Sequence, residues 1–259
     1  ATMVAEAYHT FSLTVAEGKR LIGRGVAALP CVRRAMEDGI VVVTRSTTSG
    51  YVLEELLGEQ IDRCRFVTGR TLPAGHPQRG DMLSAELPEM IFRDGRLDES
   101  ADPETIVDEL KAGDVVIKSA NALDYQRGLV GVLIGAPSGG TVSKYLGVCH
   151  GKHVHFVAPC GLEKQVAGNL LEASARLSEA GELLGGPSLW VVPAQICTEL
   201  EAIRLLTGAD AMQIAAGGVM GAEGAAWIMA AGSAEQIERV QALVEDVQGE
   251  PEMLDYAQQ

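Results

Sequence analysis

Two short polar stretches of the sequence carry residue types that could bind an anion or move a proton. The first stretch, Arg45-Ser46-Thr47-Thr48, follows a short run of isoleucine and valine. A guanidinium and three hydroxyl groups before a helix can hold a phosphate or a carboxylate, because the first N–H groups of a helix and its dipole favour negative charge. We therefore predict an anion-binding loop at 44–50. The alternative is that Ser46 or Thr47 only caps the helix and that Arg45 lies in solvent.

The second stretch follows another apolar run and contains Lys118, Asn121 and Asp124. An ammonium can neutralise a substrate oxyanion and a carboxylate can accept a proton, so we predict catalytic roles for Lys118 and Asp124. Asn121 is predicted to bind the ligand beside them. The alternative interpretation is that Asn121 and Asp124 only satisfy the backbone groups of a turn.

A third polar group comes after the apolar run 130–135 and consists of Ser138, Gly139, Gly140 and Thr141. Ligands of open α/β sheets bind at the carboxyl ends of the strands. We therefore predict that these four residues bind the same ligand as the two stretches above.

Four further residues could bind a metal ion: His150, His153, His155 and Cys160. If residues 148–157 form a strand, His153 and His155 lie on the same face of it. No carboxylate is nearby in the sequence and the spacing matches no strong zinc pattern. We therefore predict an edge strand with exposed histidines and no metal site, and the sequence gives no motif for an organic cofactor.

The segment between residues 66 and 95 has a loose pattern with several turn signals. It contains Arg70, His76 and Arg79, which could overhang the ligand from a loop. A solvated surface loop is the favoured alternative.

The element pattern predicts how these residues are positioned. Buried strands are expected at 40–43, 115–118 and 130–135, with helix signals between them. This order indicates an α/β fold with an open, mostly parallel, Rossmann-like sheet and helices on both faces. Residues 1–184 would form this ligand-binding domain. Residues 185–259 follow a β-α-β-β-α order, which suits a small ferredoxin-like α+β domain.

Capping signals define several helices within this pattern. Thr14 and Glu17 have the spacing of a capping box, and Ser233 caps a strongly periodic segment. An Asp-Pro-Glu start predicts a helix over 102–111, and an amphipathic pattern predicts another over 165–181.

Residues 225–230 could form a strand or a helix. In either case Trp227, Ile228 and Met229 offer apolar surface that a small domain covers poorly. We therefore predict a homo-oligomer, most simply a dimer.

Composition restricts the class of partner. The 259 residues carry a net charge of −14, with 21 lysines and arginines that are scattered along the chain. Nucleic-acid binding needs a concentrated basic face, so it is not expected. The five cysteines show no disulfide pattern and no apolar run is long enough to cross a membrane, so we predict a cytoplasmic protein.

The order of these features resembles the superfamily that contains type A ribose-5-phosphate isomerase, glucosamine-6-phosphate deaminase, sugar-phosphate sensors and CoA transferases. The similar features are the hydroxyl-rich loop at 43–48, the small-Ala-polar turn at 117–121, the Gly-Gly loop and the small final unit. The resemblance extends over roughly residues 12–250 in element order and its motifs are short.

The resemblance implies that Ser46, Thr47 and Thr48 stand where the isomerase-like members hold phosphate, with Arg45 in place of a glycine. The acidic turn of the isomerases reads Lys118-Ser-Ala-Asn here, so both of its carboxylates are missing. No segment matches the one that carries the glutamate nucleophile of the CoA transferases, and Glu163 is the alternative candidate.

Two functions therefore compete. The first is an enzyme acting on a small phosphorylated or carboxylated metabolite, in which Asp124 or Glu163 moves the proton. The second is a ligand-binding or regulatory protein on the same scaffold, without catalysis. The missing carboxylates favour the binding protein, whereas the polar residues gathered at strand ends favour the enzyme. We therefore predict the enzyme and keep the sugar-phosphate or CoA-type binding protein as the alternative.

Overall fold

A computed structural model describes residues 6–69, 71–72, 74–75, 87–181 and 186–253 of the chain. These residues form eight α-helices and twelve strands arranged in three sheets. The predicted α/β class is confirmed.

The central sheet is mixed and has six strands in the order β10-β8-β5-β2-β3-β4. The first four of these run parallel, and β3 and β4 are antiparallel additions at one edge. Both β2 and β5 are buried along their whole length, as is usual for parallel strands covered on both faces. The bounds are β2 Ile40–Val43, β3 Met90–Arg93, β4 Arg96–Leu97, β5 Val115–Ile117, β8 His155–Pro159 and β10 Gln195–Cys197.

Two smaller antiparallel sheets flank the central one. One has the order β1-β12-β11, so a strand near the start of the chain pairs with two strands near its end. The other has the order β6-β7-β9. The bounds are β1 Ala7–Leu13, β6 Ala122–Asp124, β7 Leu129–Ile134, β9 Ser188–Pro193, β11 Asp210–Ala216 and β12 Ala226–Gly232.

The helices begin at residues that the sequence marks. Capping boxes are formed by Thr14 with Glu17, by Thr198 with Glu201 and by Ser233 with Gln236. The predicted capping box at Thr14 and the predicted cap at Ser233 are confirmed. The bounds are α1 Val15–Ala28, α2 Pro30–Asp38, α3 Thr47–Leu57, α4 Ile106–Glu109, α5 Gly140–Lys152, α6 Leu170–Ala180, α7 Glu199–Thr207 and α8 Ala234–Val247.

Two helices are shorter than predicted. The helix expected over 102–111 is only α4, which ends because Leu110 adopts an extended backbone conformation. The helix expected over 165–181 begins at Leu170, because the N–H of Val166 instead donates to the carbonyl of Leu123 in a strand-like bridge.

The run at 130–135 forms a strand but does not join the parallel sheet. It folds back as β7 on β6 and pairs with β9 on its other side. Strands from both sides of residue 185 therefore share sheets, because β10 also pairs with β8. The Rossmann-like arrangement, the ferredoxin-like unit and the division at 184/185 stay predictions.

A buried carboxylate fixes α3 to α1. Glu54 is 4% exposed and accepts hydrogen bonds from Arg20 at 2.5 Å, from Arg63 at 2.8 Å and from the N–H of Ile61 at 3.1 Å. Both guanidinium groups also lie over the ring of Tyr51, at 4.8 and 4.1 Å from its centroid. This network holds the helix whose first turn borders the candidate site.

No helix in the described part of the chain is long and apolar enough to span a membrane.

The sheet β1-β12-β11 has an apolar outer face. Trp227, Met212 and Tyr8 on this face are 42%, 51% and 61% exposed, whereas Ile228 points into the core and is fully buried. The exposed surface predicted at 227–229 is therefore supplied by Trp227, and by Met229, which is partly buried.

We expect light scattering at micromolar concentration to give a mass near twice the 27.3 kDa of one chain. Pairing of this apolar face would remove it from water, so Trp227→Glu is expected to shift the mass to that of one chain. The exposed Glu235→Lys, which lies on α8, is the control and should leave the mass unchanged. A monomeric wild-type protein would contradict the prediction.

Candidate functional site

A cavity of about 880 Å³ lies at the carboxyl edge of the parallel strands. Its walls come from the loops after β2, β5 and β8, and from β7 of the small antiparallel sheet. Parallel strands bring their carboxyl ends to one edge, which explains why loops far apart in sequence meet here. The residues lining the cavity are Arg45, Ser46, Thr47, Cys64, Val67, Thr68, Gly69, Thr71, Leu72, Lys118, Ser119, Ala120, Asn121, Val132, Leu133, Gly135, Lys164, Pro187 and Met253.

Three hydroxyl groups join the start of α3 to the end of β5. The hydroxyl of Ser46 lies 2.9 Å from that of Ser49 and 2.7 Å from that of Ser119, and the last two are 3.1 Å apart. Ser46 also caps α3, because its side chain accepts the N–H of Ser49 at 2.9 Å. The first turn of α3 is thereby held against the cavity wall.

Three cations line the cavity: Arg45, Lys118 and Lys164. Lys164 donates to the carbonyl of Ala120 at 2.9 Å and to the hydroxyl of Thr48 at 3.5 Å. Among the described residues, no carboxylate lines the cavity. No described carboxylate accepts a hydrogen bond from Arg45 or Lys118, and none forms an ion pair with either of them. The cavity therefore has an excess of positive charge.

Burial lowers the pKa of Lys118 to about 8. This value also includes the effect of Glu89, which raises the pKa, and of Lys164 and Arg45, which lower it. The ammonium is thus held in a place where losing its proton is easier than in water.

Five of the residues predicted to form the site line this cavity: Arg45, Ser46, Thr47, Lys118 and Asn121. The amide oxygen of Asn121 accepts the N–H of Leu133, which leaves its NH₂ group for a ligand. Thr48 is buried behind the wall, where its hydroxyl accepts from Lys164.

The two predicted catalytic carboxylates do not line the cavity. Asp124 ends β6, and its oxygens accept the N–H of Arg127 at 3.2 Å and the guanidinium of Arg127 at 2.9 Å. Asp124 therefore satisfies hydrogen-bonding groups of a turn, as in the alternative interpretation of this residue given above. Glu163 lies in a 3₁₀ turn after β8 and is not among the residues that line the cavity.

The Gly-Gly loop also lies outside the cavity lining. Ser138, Gly139, Gly140 and Thr141 lead into α5, and the carbonyl of Ser138 accepts the hydroxyl of Ser143. Gly139 has a φ of 85°, which allows the sharp entry into that helix. The end of β7 does reach the cavity, since Val132, Leu133 and Gly135 line it, but the chain then enters α5 and the Gly-Gly loop lies beyond the lining.

The histidines do not share a strand. His150 lies in α5, His153 ends that helix in a left-handed conformation, and His155 begins β8. The edge strand predicted over 148–157 was therefore wrong, because α5 extends to Lys152 and β8 lies between β10 and β5. The alternation of His153 and His155, which depended on that strand, does not occur. In the part of the chain that the structure describes, no three His, Cys, Asp or Glu side chains are grouped to hold a metal ion.

Two residues that line the cavity, Lys164 and Ser119, were not predicted as site residues from the sequence. Lys164 follows β8, the third parallel strand, so its position after a strand end was a usable signal. The sequence favours another interpretation of Lys164, because a glutamate and a lysine that are adjacent in sequence usually form a solvated pair. Three loop residues proposed to overhang the site, Arg70, His76 and Arg79, lie outside the described residues.

A second group of charges lies behind the cavity wall. Glu199, at the start of α7, is 3% exposed and accepts the N–H of Leu162 at 3.0 Å. Burial is the main cause that raises its pKa, and the nearby Glu163 acts in the same direction. The resulting pKa is about 8. Lys164 opposes this shift, and Lys19 on α1 also belongs to the group, with a pKa lowered by burial.

No family model, curated protein or solved structure matches this chain.

Proposed function

We propose that the protein binds a small phosphorylated or carboxylated metabolite, with its anionic group at the start of α3. The observation that carries this proposal is that three cations and no carboxylate of the described residues line one cavity. Arg45 and Lys118 have no ion-pair partner among the described residues, and Lys164 donates only to neutral groups. Cations without a counter-charge are costly to hold in a partly closed site, so an anionic ligand that pairs with them would be favoured.

The cavity offers a separate group for each part of such a ligand. The first N–H groups of α3 and the guanidinium of Arg45 suit the anionic oxygens, since a guanidinium can donate two parallel hydrogen bonds. Asn121 and Lys164 can reach further oxygens, and Val132 and Leu133 give an apolar wall. This division of charge and apolar surface is typical of sites for small metabolites.

The resemblance to sugar-phosphate isomerases and sensors supports the same ligand class. Proton transfer by Asp124 or Glu163 has less support, because neither carboxylate lines the cavity. Anion binding is accordingly the function proposed, in line with the second of the two competing hypotheses.

Arg45→Ala is expected to weaken binding of a phosphorylated ligand by about 10- to 100-fold, because a charge-assisted hydrogen bond contributes roughly 1.5–3 kcal/mol. Calorimetry with glycerol 3-phosphate, ribose 5-phosphate and inorganic phosphate measures this effect. Unphosphorylated ribose should bind to neither protein.

The matched control is Arg34→Ala, which removes an exposed guanidinium on α2, the helix before β2, from a position that does not line the cavity. It should leave the affinity within a factor of two. If both variants weaken binding equally, the effect comes from the net charge of the protein and not from a contact with Arg45. If the wild-type protein binds none of the three phosphate ligands, the proposal is refuted.

A further inference from the structure

Lys118 differs from Lys144, Lys152 and Lys164 in what its amino group contacts. Lys144 is paired with Glu89 and Glu104, and Lys152 and Lys164 donate to backbone carbonyls. Those bonds need the protons of an ammonium group. The amino group of Lys118 makes no hydrogen bond or ion pair with a described residue, although it lies in the cavity.

We infer that Lys118 is a nucleophile that forms an imine with the carbonyl carbon of a phosphorylated aldehyde or ketone bound in this cavity. The inference rests on the proposed function, because the phosphate is what places the carbonyl near the amine. It adds covalent chemistry and narrows the ligand class to metabolites that carry both a phosphate and a carbonyl.

The reaction balances without a further reactant. The neutral amine of Lys118 attacks the carbonyl carbon, a C–N bond forms, and the electron pair of the carbonyl double bond moves to oxygen, which takes up a proton. The resulting carbinolamine loses this oxygen as water with a second proton. The products are a protonated imine and one molecule of water, from one carbonyl compound and one lysine ammonium.

The surroundings of Lys118 favour this reaction. Burial disfavours the protonated amine, and the positive charges of Lys164 and Arg45 act in the same direction. With a pKa of about 8, part of the Lys118 population is neutral near pH 7. The adjacent Ser119 and the Ser46 hydroxyl beside it can donate a hydrogen bond to the developing alkoxide. A lysine in contact with solvent has neither advantage.

The test uses the full chain, glyceraldehyde 3-phosphate and sodium cyanoborohydride, which reduces an imine to a stable amine. Mass spectrometry of the digested protein should place a single label on Lys118. Glycerol 3-phosphate, which lacks the carbonyl, should suppress labelling, and unphosphorylated glyceraldehyde should label Lys118 at least ten times more slowly.

The pH dependence gives an independent measurement on the unmutated protein. Because only the neutral amine reacts, labelling of Lys118 should rise with pH and level off above about pH 8. Exposed Lys111, labelled in the same samples, gives the reference against which the rate at Lys118 is measured.

Lys118→Arg removes the primary amine, which alone can form an imine, so this variant should lose the specific label. Lys111→Arg is the control and should keep it. If glycerol 3-phosphate binds to the wild-type protein but Lys118 is labelled no faster than Lys111, the imine inference is wrong and the binding proposal stands. If glycerol 3-phosphate does not bind at all, both fail.

Discussion

Glu54→Ala is expected to lower the free energy of unfolding by about 3–5 kcal/mol, the usual cost of removing one partner of a buried ion pair. The carboxylate is 4% exposed and accepts from two guanidinium groups and one backbone N–H. Without it, Arg20 and Arg63 would face each other across Tyr51 with one neutralising charge fewer. Chemical denaturation followed by circular dichroism measures the change.

The control for this prediction is Glu172→Ala. Glu172 pairs with Arg176 on the surface of α6, where both side chains are more than half exposed. A surface pair of this kind contributes roughly 0–1 kcal/mol. A loss of less than 1 kcal/mol for Glu54→Ala would show that Glu55 and Glu250, which also contact Arg20, compensate for the missing carboxylate.

Glu199 is expected to make the protein less stable as the pH rises from about 4.5 to about 8. Within this range the folded state keeps a proton on the carboxyl group, because burial raises its pKa, whereas the unfolded chain has released it. The free energy of unfolding therefore falls by up to about 1.4 kcal/mol per pH unit. The free-energy cost of ionising Glu199 in the folded state is absent below about pH 4.5 and fully present above about pH 8.

Glu199→Gln should remove most of this dependence, because the amide keeps an acceptor for the N–H of Leu162 and carries no charge. We expect the variant to be more stable than the wild-type protein at pH 8 and similar to it at pH 5. The exposed Glu235→Gln is the control and should follow the wild-type profile. Parallel profiles for wild type and Glu199→Gln would mean that Lys19 and Lys164 hold Glu199 ionised throughout.

Local signals in the sequence were sufficient to predict the α/β class and most of its elements. Runs such as Ile40–Val43 are apolar on both faces, and capping residues such as Thr14 mark helix starts without reference to the rest of the chain. The loop after β2 could be predicted as a cavity wall for the same reason, since strand, hydroxyl-rich loop and helix are adjacent in sequence.

Residues whose position depends on long-range pairing could not be predicted in this way. Asp124 was assigned to the site because it lies one turn beyond the predicted strand 115–118, and the Gly-Gly loop because β7 was expected in the parallel sheet. Asp124 instead ends β6, which pairs with β7, and the Gly-Gly loop leads into α5 outside the cavity lining. Lys164 reaches the cavity only because β8 lies next to β5. Strand order is set by the packing of the whole chain, which no short segment encodes.

The pairing of β1 with β12 gives the protein a particular order of assembly on the ribosome. Strand β1 is made early, yet within the described residues its ladder partner is β12, which is made late. Until then the nascent chain exposes an unpaired strand with Phe11 and Leu13, which are buried in the finished fold. Translation pauses or chaperone contacts before residue 226 would therefore act on a chain whose first strand is still open to pairing with other molecules.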